Sequence, residues 1–493
     1  MPVARAPQPA TSNEPVTWWS DAVVYQIYPR SFQDTNGDGV GDLEGVRRRL
    51  GHLNELGVDA FWLSPFYPSP LADCGYDIAN HVDVDPTLGS LVDFDHLVAE
   101  AHARDLRVLV DLVPSHTSIE HPWFREHPEW YVWSDTGPAN NWLSAFGGSA
   151  WSRDPHTDSW YLHSFYPEQP DLDWRRADVR EAMAEVIRFW LDRGVDGFRV
   201  DAVDRLAKDP DLRDDPPAMK PWPLPLPSEY AALHHVHSRN APGMREILAF
   251  LRQAAGEAFL VGEVFCPTAE LALYLEYFDA VFAFEFMFTA WEPAALARVL
   301  LPVCELDRVA WVLGNHDFSR VASRRGEENT RLAAMLQLTL PGPVFLYQGD
   351  EVGLVDGSHD SGWDRAGRDA ARHPMQWDTS PTGGFTSGTP WLPPVDHLIR
   401  NVSDQRQQPG SLLKLYRSLI ALRPSLQGPL ELLTADAARL SFRRGGHVVE
   451  LNFSGREMPI ASSGDVVLTT DVMSESTTIP AHGGVIVELA GER

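Results

Sequence analysis

Val179–Ala202 reads VREAMAEVIRFWLDRGVDGFRVDA. Up to Arg193 its apolar residues recur at helical spacing, with polar residues between them. Gly197–Ala202 (GFRVDA) then forms a short, nearly continuous apolar run, the texture of a parallel strand buried on both faces. The same alternation extends in both directions. Ala22–Pro29 (AVVYQIYP), Asp59–Pro65 (DAFWLSP) and Arg107–Val113 (RVLVDLV) precede it, with helical patterns over Val46–Leu56 and Phe94–Arg104. Phe259–Val264 (FLVGEV), Asp279–Phe284, Val309–Leu313 and Pro343–Tyr347 follow. Eight strands with helical segments between them predict a (β/α)8 TIM barrel. A doubly wound open sheet is the rival, disfavoured by the eight units and the lack of a glycine-rich phosphate loop.

Two stretches interrupt the alternation. His116–Asp173, rich in Trp, Pro, His and Gly, is too long for a βα loop and predicts a small inserted subdomain after the third strand. Lys208–Ala241 is a proline-rich excursion after the fourth strand, on the same rim. After Leu422 short alternating runs separated by turns (LSFRR, HVVELNF, DVVLTTDV, GVIVEL) predict an all-β C-terminal domain. The expected division is a barrel over 1–115 and 174–423, an insert over 116–173 and a β-sandwich over 424–493.

Composition narrows the classes. The 493 residues are 44% hydrophobic and 22% charged, a globular balance, and the formal net charge of −28 argues against nucleic acid as a partner. Three cysteines (Cys74, Cys266, Cys304) do not make a disulfide framework, and none has zinc spacing with histidine. Met1–Pro15 lacks an apolar core and no run of about 18 apolar residues occurs, so neither a signal peptide nor a membrane span is expected. These features predict a cytoplasmic protein, a monomer or homodimer, with no membrane partner.

The chemistry gathers at strand ends. Asp111 follows RVLV, Asp201 follows GFRV, Glu263 follows FLVG, and Asn315, His316 and Asp317 follow WVLG. In a barrel these ends share one face, where active sites lie. A single residue of this kind is a helix cap or turn; four strand ends carrying the same kind are not. Several carboxylates on one rim suggest glycoside chemistry, in which a retaining enzyme pairs a nucleophile with an acid/base about 5–5.5 Å away.

GFRVDAVDR, FLVGEV, LGNHDFSR and DLVPSH resemble the four signature regions of the α-amylase superfamily, glycoside hydrolase family 13. VVYQIYPRSFQDTNGDGVGDLEGV and RDAARHPMQW resemble its oligo-1,6-glucosidase/α-glucosidase branch. The resemblance spans roughly Trp18 to Arg423. It implies Asp201 as nucleophile, Glu263 as acid/base and Asp317 as the carboxylate that favours the distorted sugar ring. Arg199, two residues before Asp201 and on the same strand face, would keep that nucleophile ionised. His116 and His316 match histidines that hydrogen-bond the glucose. Tyr76 matches the aromatic stacked on it, and Phe146 a second aromatic from the insert. Asp73 and Arg372 match a charged pair that closes the pocket beyond one glucose, which implies exo action on small α-glucosides. Ala202 follows the nucleophile where Val accompanies α-1,6 activity in this branch, which implies α-1,4-type, sucrose-like or trehalose-like substrates.

Asp34, Asn36, Asp38 and Asp42 place oxygen ligands at alternate positions, with the Val40 carbonyl available and Gly39 at the sharp turn. Gly45 stands where an EF-hand has Glu. The resemblance implies a structural Ca2+, or Mg2+, here and no organic cofactor. Ser115 replaces the Asn that helps hold a second calcium in amylases, which argues against that second ion. Two further readings share or lose the chemistry: a transglucosylase or sucrose/trehalose-type isomerase with the same residues, and a non-catalytic sugar-binding barrel.

Overall fold

The protein is described from a computed structural model, over residues 17–219, 227–303, 306, 308–471 and 477–490. Cys304, the amino-terminal stretch read for a leader, and residues 220–226 of the proline-rich excursion lie outside the described residues.

The eight expected strands close into one parallel barrel: Val23–Ile27, Ala60–Leu63, Arg107–Leu112, Gly197–Val200, Phe259–Gly262, Ala280–Phe282, Val309–Val312 and Val344–Tyr347, in that order round the ring. Their alternation explains the continuous apolar texture. Val23, Tyr25 and Ile27 pack outward with the helices, whereas Val24, Ala60, Trp62, Leu109, Phe259, Val261, Phe282, Val312 and Phe345 fill the lumen. Parallel strands need both faces covered, so most positions are apolar until the upper ends, where Gln26, Asp111 and Arg199 appear.

Register sets the top layer. Asp111 pairs with Arg199, and Arg199 with Val261, so the inward positions two residues on are Asp201 and Glu263. Apolar layers below and this charged layer above share one lumen.

Within 116–173 a three-stranded sheet forms from Trp133–Ser134, Trp151–Arg153 and Trp160–Leu162. Lys208, fully enclosed at the start of the excursion, ties it to the barrel through Asp171 Oδ2 at 2.7 Å. The C-terminal region carries a five-stranded antiparallel sheet between Leu430 and Leu489, with a two-stranded ribbon of Met458–Pro459 and Thr478–Ile479. No helix among the described residues is long and apolar enough to cross a membrane.

Candidate active site

The strand ends open into a cavity of about 270 Å³, lined among others by Asp73, Tyr76, His116, Phe146, Asp201, Ala202, Glu263 and Asp317. Arg199 is its electrostatic centre. The guanidinium is 1% exposed, donates from Nη1 to Asp111 Oδ1 (2.7 Å) and Asp201 Oδ1 (2.6 Å), and forms an ion pair through Nη2 with Glu263 Oε1 (2.7 Å). Trp62 and Tyr76 flank it, ring centroids 5.0 and 5.6 Å away. One rigid fork therefore fixes the nucleophile and acid/base candidates against each other.

Arg199 does not win outright. Burial pushes the Asp201 carboxyl well up; Arg199 opposes this, and the facing Glu263 and Asp111 carboxylates add to it. Burial likewise lifts Asp111 to about 7 against the pull of Arg199. The expectation that Arg199 keeps Asp201 ionised thus gives way to desolvation in a crowded acidic site. Through Asp111 such a site retains a proton into the neutral range.

This predicts the acid limb of the pH profile. A protonated Asp201 cannot attack, so kcat/KM rises as pH increases through its raised pKa. The apparent pKa for a neutral aryl α-glucoside should lie well above the ordinary carboxylate value of about 4. An acid limb centred at that ordinary value would contradict the desolvation argument.

Ala202 sits at φ +45°, left-handed for a non-glycine residue, and its N–H donates to Glu263 Oε2 at 3.2 Å. That strain aims a backbone donor at the acid/base candidate.

Asp317 occupies the opposite wall. Although burial works the other way, the Arg368 and Arg372 guanidiniums hold its carboxyl well below the usual range. Arg372 Nη2 lies 3.1 Å and Arg368 Nη1 3.3 Å from its Oδ1. His316 is sandwiched between Tyr28 and Tyr76, at 5.7 and 5.4 Å. Burial lowers its pKa to about 3, so the ring is neutral. Gln26 Nε2 donates to its Nδ1 at 2.7 Å, which leaves the hydrogen on Nε2, 3.5 Å from Asp317 Oδ2. His116 is also buried and neutral, placed by Ser115 Oγ at Nδ1 (2.7 Å) and by Gln169 at Nε2 (3.0 Å).

The partner of Asp73 is a correction. Asp73 Oδ1 meets Arg368 Nη2 at 2.6 Å, not Arg372, which turns inward to Asp317 and donates from Nε to the His316 carbonyl (2.7 Å). The reason is local. Arg368 precedes the short turn Asp369–Arg372, and the enclosed Asp364 accepts from its Nε and Nη2 at 2.9 and 2.6 Å, aiming it across the pocket. Phe146 lies under this arginine, its ring centroid 5.4 Å from the guanidinium carbon. Sequence reasoning missed Arg368, Asp364 and Gln169. The four-residue spacing of Asp364, Arg368 and Arg372 was the available signal.

The first-loop oxygens are tied up within the protein. Asp34 accepts from the N–H groups of Asn36, Gly37 and Gly39 at 2.8–2.9 Å and from the Thr386 hydroxyl. Asp38 accepts from the Val40 N–H, and Asp42 accepts from Thr35 and caps the following helix at Gly45. Gly39 is required: at φ +92°, a Cβ would lie 2.0 Å from the Thr389 carbonyl oxygen. Among the described residues no three His, Cys, Asp or Glu side chains are grouped to hold a metal ion. Asn36 and Asp38 are the exposed oxygen donors of the loop; Asp34 would have to release a backbone donor to ligate.

Barrel, insert and charged rim are together those of a glycoside hydrolase. Residues 26–428 match the α-amylase catalytic domain model, and the chain belongs to that family. It is 40% identical to a probable α-glucosidase of Rhizobium meliloti (strain 1021), over 96% of this chain and 97% of that one. It is 36% identical to an oligo-1,6-glucosidase of Parageobacillus thermoglucosidasius, over 82% and 83% of the two chains. The solved structure of the α-glucosyl transfer enzyme XgtA superimposes with a TM-score of 0.88 at 36% identity, covering 95% of this chain and 99% of that one.

Proposed function

We propose that the protein is a retaining, exo-acting α-glucosidase. The single observation that carries this is one guanidinium, Arg199, bridging Asp201 and Glu263 beside a pocket whose wall carries the ion pair of Asp73 and Arg368. In this reading ionised Asp201 attacks the anomeric carbon while Glu263 protonates the departing oxygen. Glu263 then takes a proton from water, which releases α-glucose. Asp317, His316 and His116 hold the glucose hydroxyls and Tyr76 covers its apolar face. Ala202, smaller than Val, leaves room for a differently angled aglycone, which suits α-1,4-type, sucrose-like or trehalose-like bonds over α-1,6. Similarity to a glucosyl transfer enzyme supports a second reading, in which an acceptor replaces water with the same residues.

Time-resolved proton NMR over maltose, isomaltose, sucrose, trehalose, nigerose and kojibiose tests both. Free α-glucose appearing first establishes retaining hydrolysis; new glucosidic signals without matching glucose move the assignment to transfer. Isomaltose cleaved faster than every other sugar would overturn the linkage preference.

Breaking the closed end should widen the product range. Asp73→Ala and Arg368→Ala are each expected to cost on the order of 10²-fold in kcat/KM on disaccharides, the size of a lost charge-assisted contact plus its stranded partner. The loss should be smaller on longer maltooligosaccharides. An equal loss at every chain length would show that the pair does not end the pocket.

The first loop's all-oxygen set (Asp34, Asn36, Asp38, the Val40 carbonyl and Asp42) suits a hard divalent cation, calcium or magnesium, in a structural role. Added Ca2+ at one hundred times its Kd should stabilise the chelator-treated protein by about 2.7 kcal/mol, read as a higher melting temperature. Unchanged melting at millimolar Ca2+ and Mg2+ would mean the loop is held by its own hydrogen bonds. Placement in the reducing cytoplasm belongs to the same reading and suits the free thiols Cys74 and Cys266.

A further inference from the structure

We propose that the aglycone side of this pocket accepts a carboxylate- or phosphate-bearing group, held by Arg205. The inference rests on the α-glucosidase reading and names the class of aglycone.

Arg205 lies four residues beyond Asp201, lines the cavity and is 6% exposed. Arg368, the other cation lining the cavity, has Asp73, Asp317 and Asp364, and the buried cations around it are paired too: Arg199 with three carboxylates, Arg372 with Asp317, Arg239 with Asp204 and Lys208 with Asp171. Among the described residues none is paired with Arg205. Asp204, beside it in sequence and on the same cavity wall, is taken by Arg239.

The guanidinium instead lies between two aromatic rings, 5.5 Å from the Phe165 centroid and 5.2 Å from that of Tyr230. This holder is fixed in turn. Tyr230 is fully buried and stacks on His235 at 3.8 Å, and His235 is held by Asp215 at 3.3 Å and by the Tyr230 carbonyl at 2.9 Å. Rings orient a guanidinium but do not neutralise it, and a buried charge without a counter-charge is costly. Its planar fork fits carboxylate and phosphate oxygens, and a pre-set orientation lowers the entropy lost on binding. Neutral sugar hydroxyls would accept the same N–H groups without supplying charge.

The position assigns the ligand to the leaving group. The glucose end is built by Asp73, Arg368, Gln169 and Tyr76. Arg205 lines the cavity with Pro227 and Phe265, from the loops after the fourth and fifth barrel strands. The natural substrate would then be an α-glucoside of a hydroxy acid or of a phosphorylated sugar or polyol.

Matched pairs test this at low ionic strength: 2-O-α-glucosylglycerol against 2-O-α-glucosylglycerate, and trehalose against trehalose 6-phosphate. The wild-type protein should favour at least one anionic member by on the order of tenfold in kcat/KM, the size of one charge-assisted hydrogen bond. The favoured pair tells carboxylate from phosphate. Arg205→Gln should lower that anionic-to-neutral ratio by about the same factor, and Arg205→Lys should restore part of it. Melting temperatures check that both variants fold. Hydrolysis of 4-nitrophenyl α-glucoside with no anionic preference, or a ratio that Arg205→Gln leaves unmoved, overturns the proposal and leaves the α-glucosidase reading standing. No turnover of any α-glucoside by the wild-type protein would remove both.

Discussion

Asp201→Gly will lower turnover of 4-nitrophenyl α-glucoside by about 10⁴-fold or more, as loss of a nucleophile does elsewhere. The melting temperature should change little, because Arg199 keeps Asp111 and Glu263 as partners. The stereochemistry of rescue separates the two roles. Azide in the space left by Asp201 attacks α-glucosyl fluoride from the nucleophile's face and yields the β-glucosyl azide. In Glu263→Ala the glucosyl-enzyme still forms from an aryl glucoside with a good leaving group. Azide then enters from the opposite face and yields the α-glucosyl azide. The reverse pattern would exchange the two assignments; full activity in Asp201→Gly would remove the nucleophile altogether.

Arg199→Met will cost both activity and stability. Removing the guanidinium leaves three carboxylates facing one another in a buried site, and breaking such a network costs about 3–5 kcal/mol. In a protein of this size that corresponds to roughly 5 °C in melting temperature. The sign of the pH dependence follows from the raised carboxyls. Asp111 stands near 7 even with Arg199 in place, so without it the cluster takes up protons more readily still. The deficit relative to wild type should be largest at about pH 8 and shrink towards pH 5 as those protons bind. Calorimetry at the two pH values decides it: an equal deficit at both, or a larger one at pH 5, would mean that the loss comes from packing against Trp62 and Tyr76.

The barrel was legible because parallel strands buried on both faces leave a simple trace, runs such as RVLVDLV and FLVGEV with an acidic residue at the end. Asp111, Asp201, Glu263 and Asp317 were legible for the same reason, since each sits where an apolar run breaks. Arg368 was not. Its role depends on which of two arginines four residues apart faces Asp73, and that is decided by Asp364, whose four-residue spacing to Arg368 hints at the contact without saying which arginine crosses the pocket. Arg205 was hidden differently: it reads as one more arginine in GFRVDAVDR until its neighbours are seen to be rings. The balance of charge on Asp201 was also beyond reach, because burial outweighs Arg199 only once Asp111 and Glu263 converge on the same fork.

In the proposed reading the wall built by Asp73 and Arg368 makes the pocket a cul-de-sac, which imposes an order of traffic. Glucose bound at the blind end leaves by the mouth through which the substrate entered. The aglycone, bound nearer that mouth, departs first, and water or an acceptor arrives through the space it vacates. Hydrolysis and transfer thus compete for one doorway, and their ratio is set by how long the departing group lingers there.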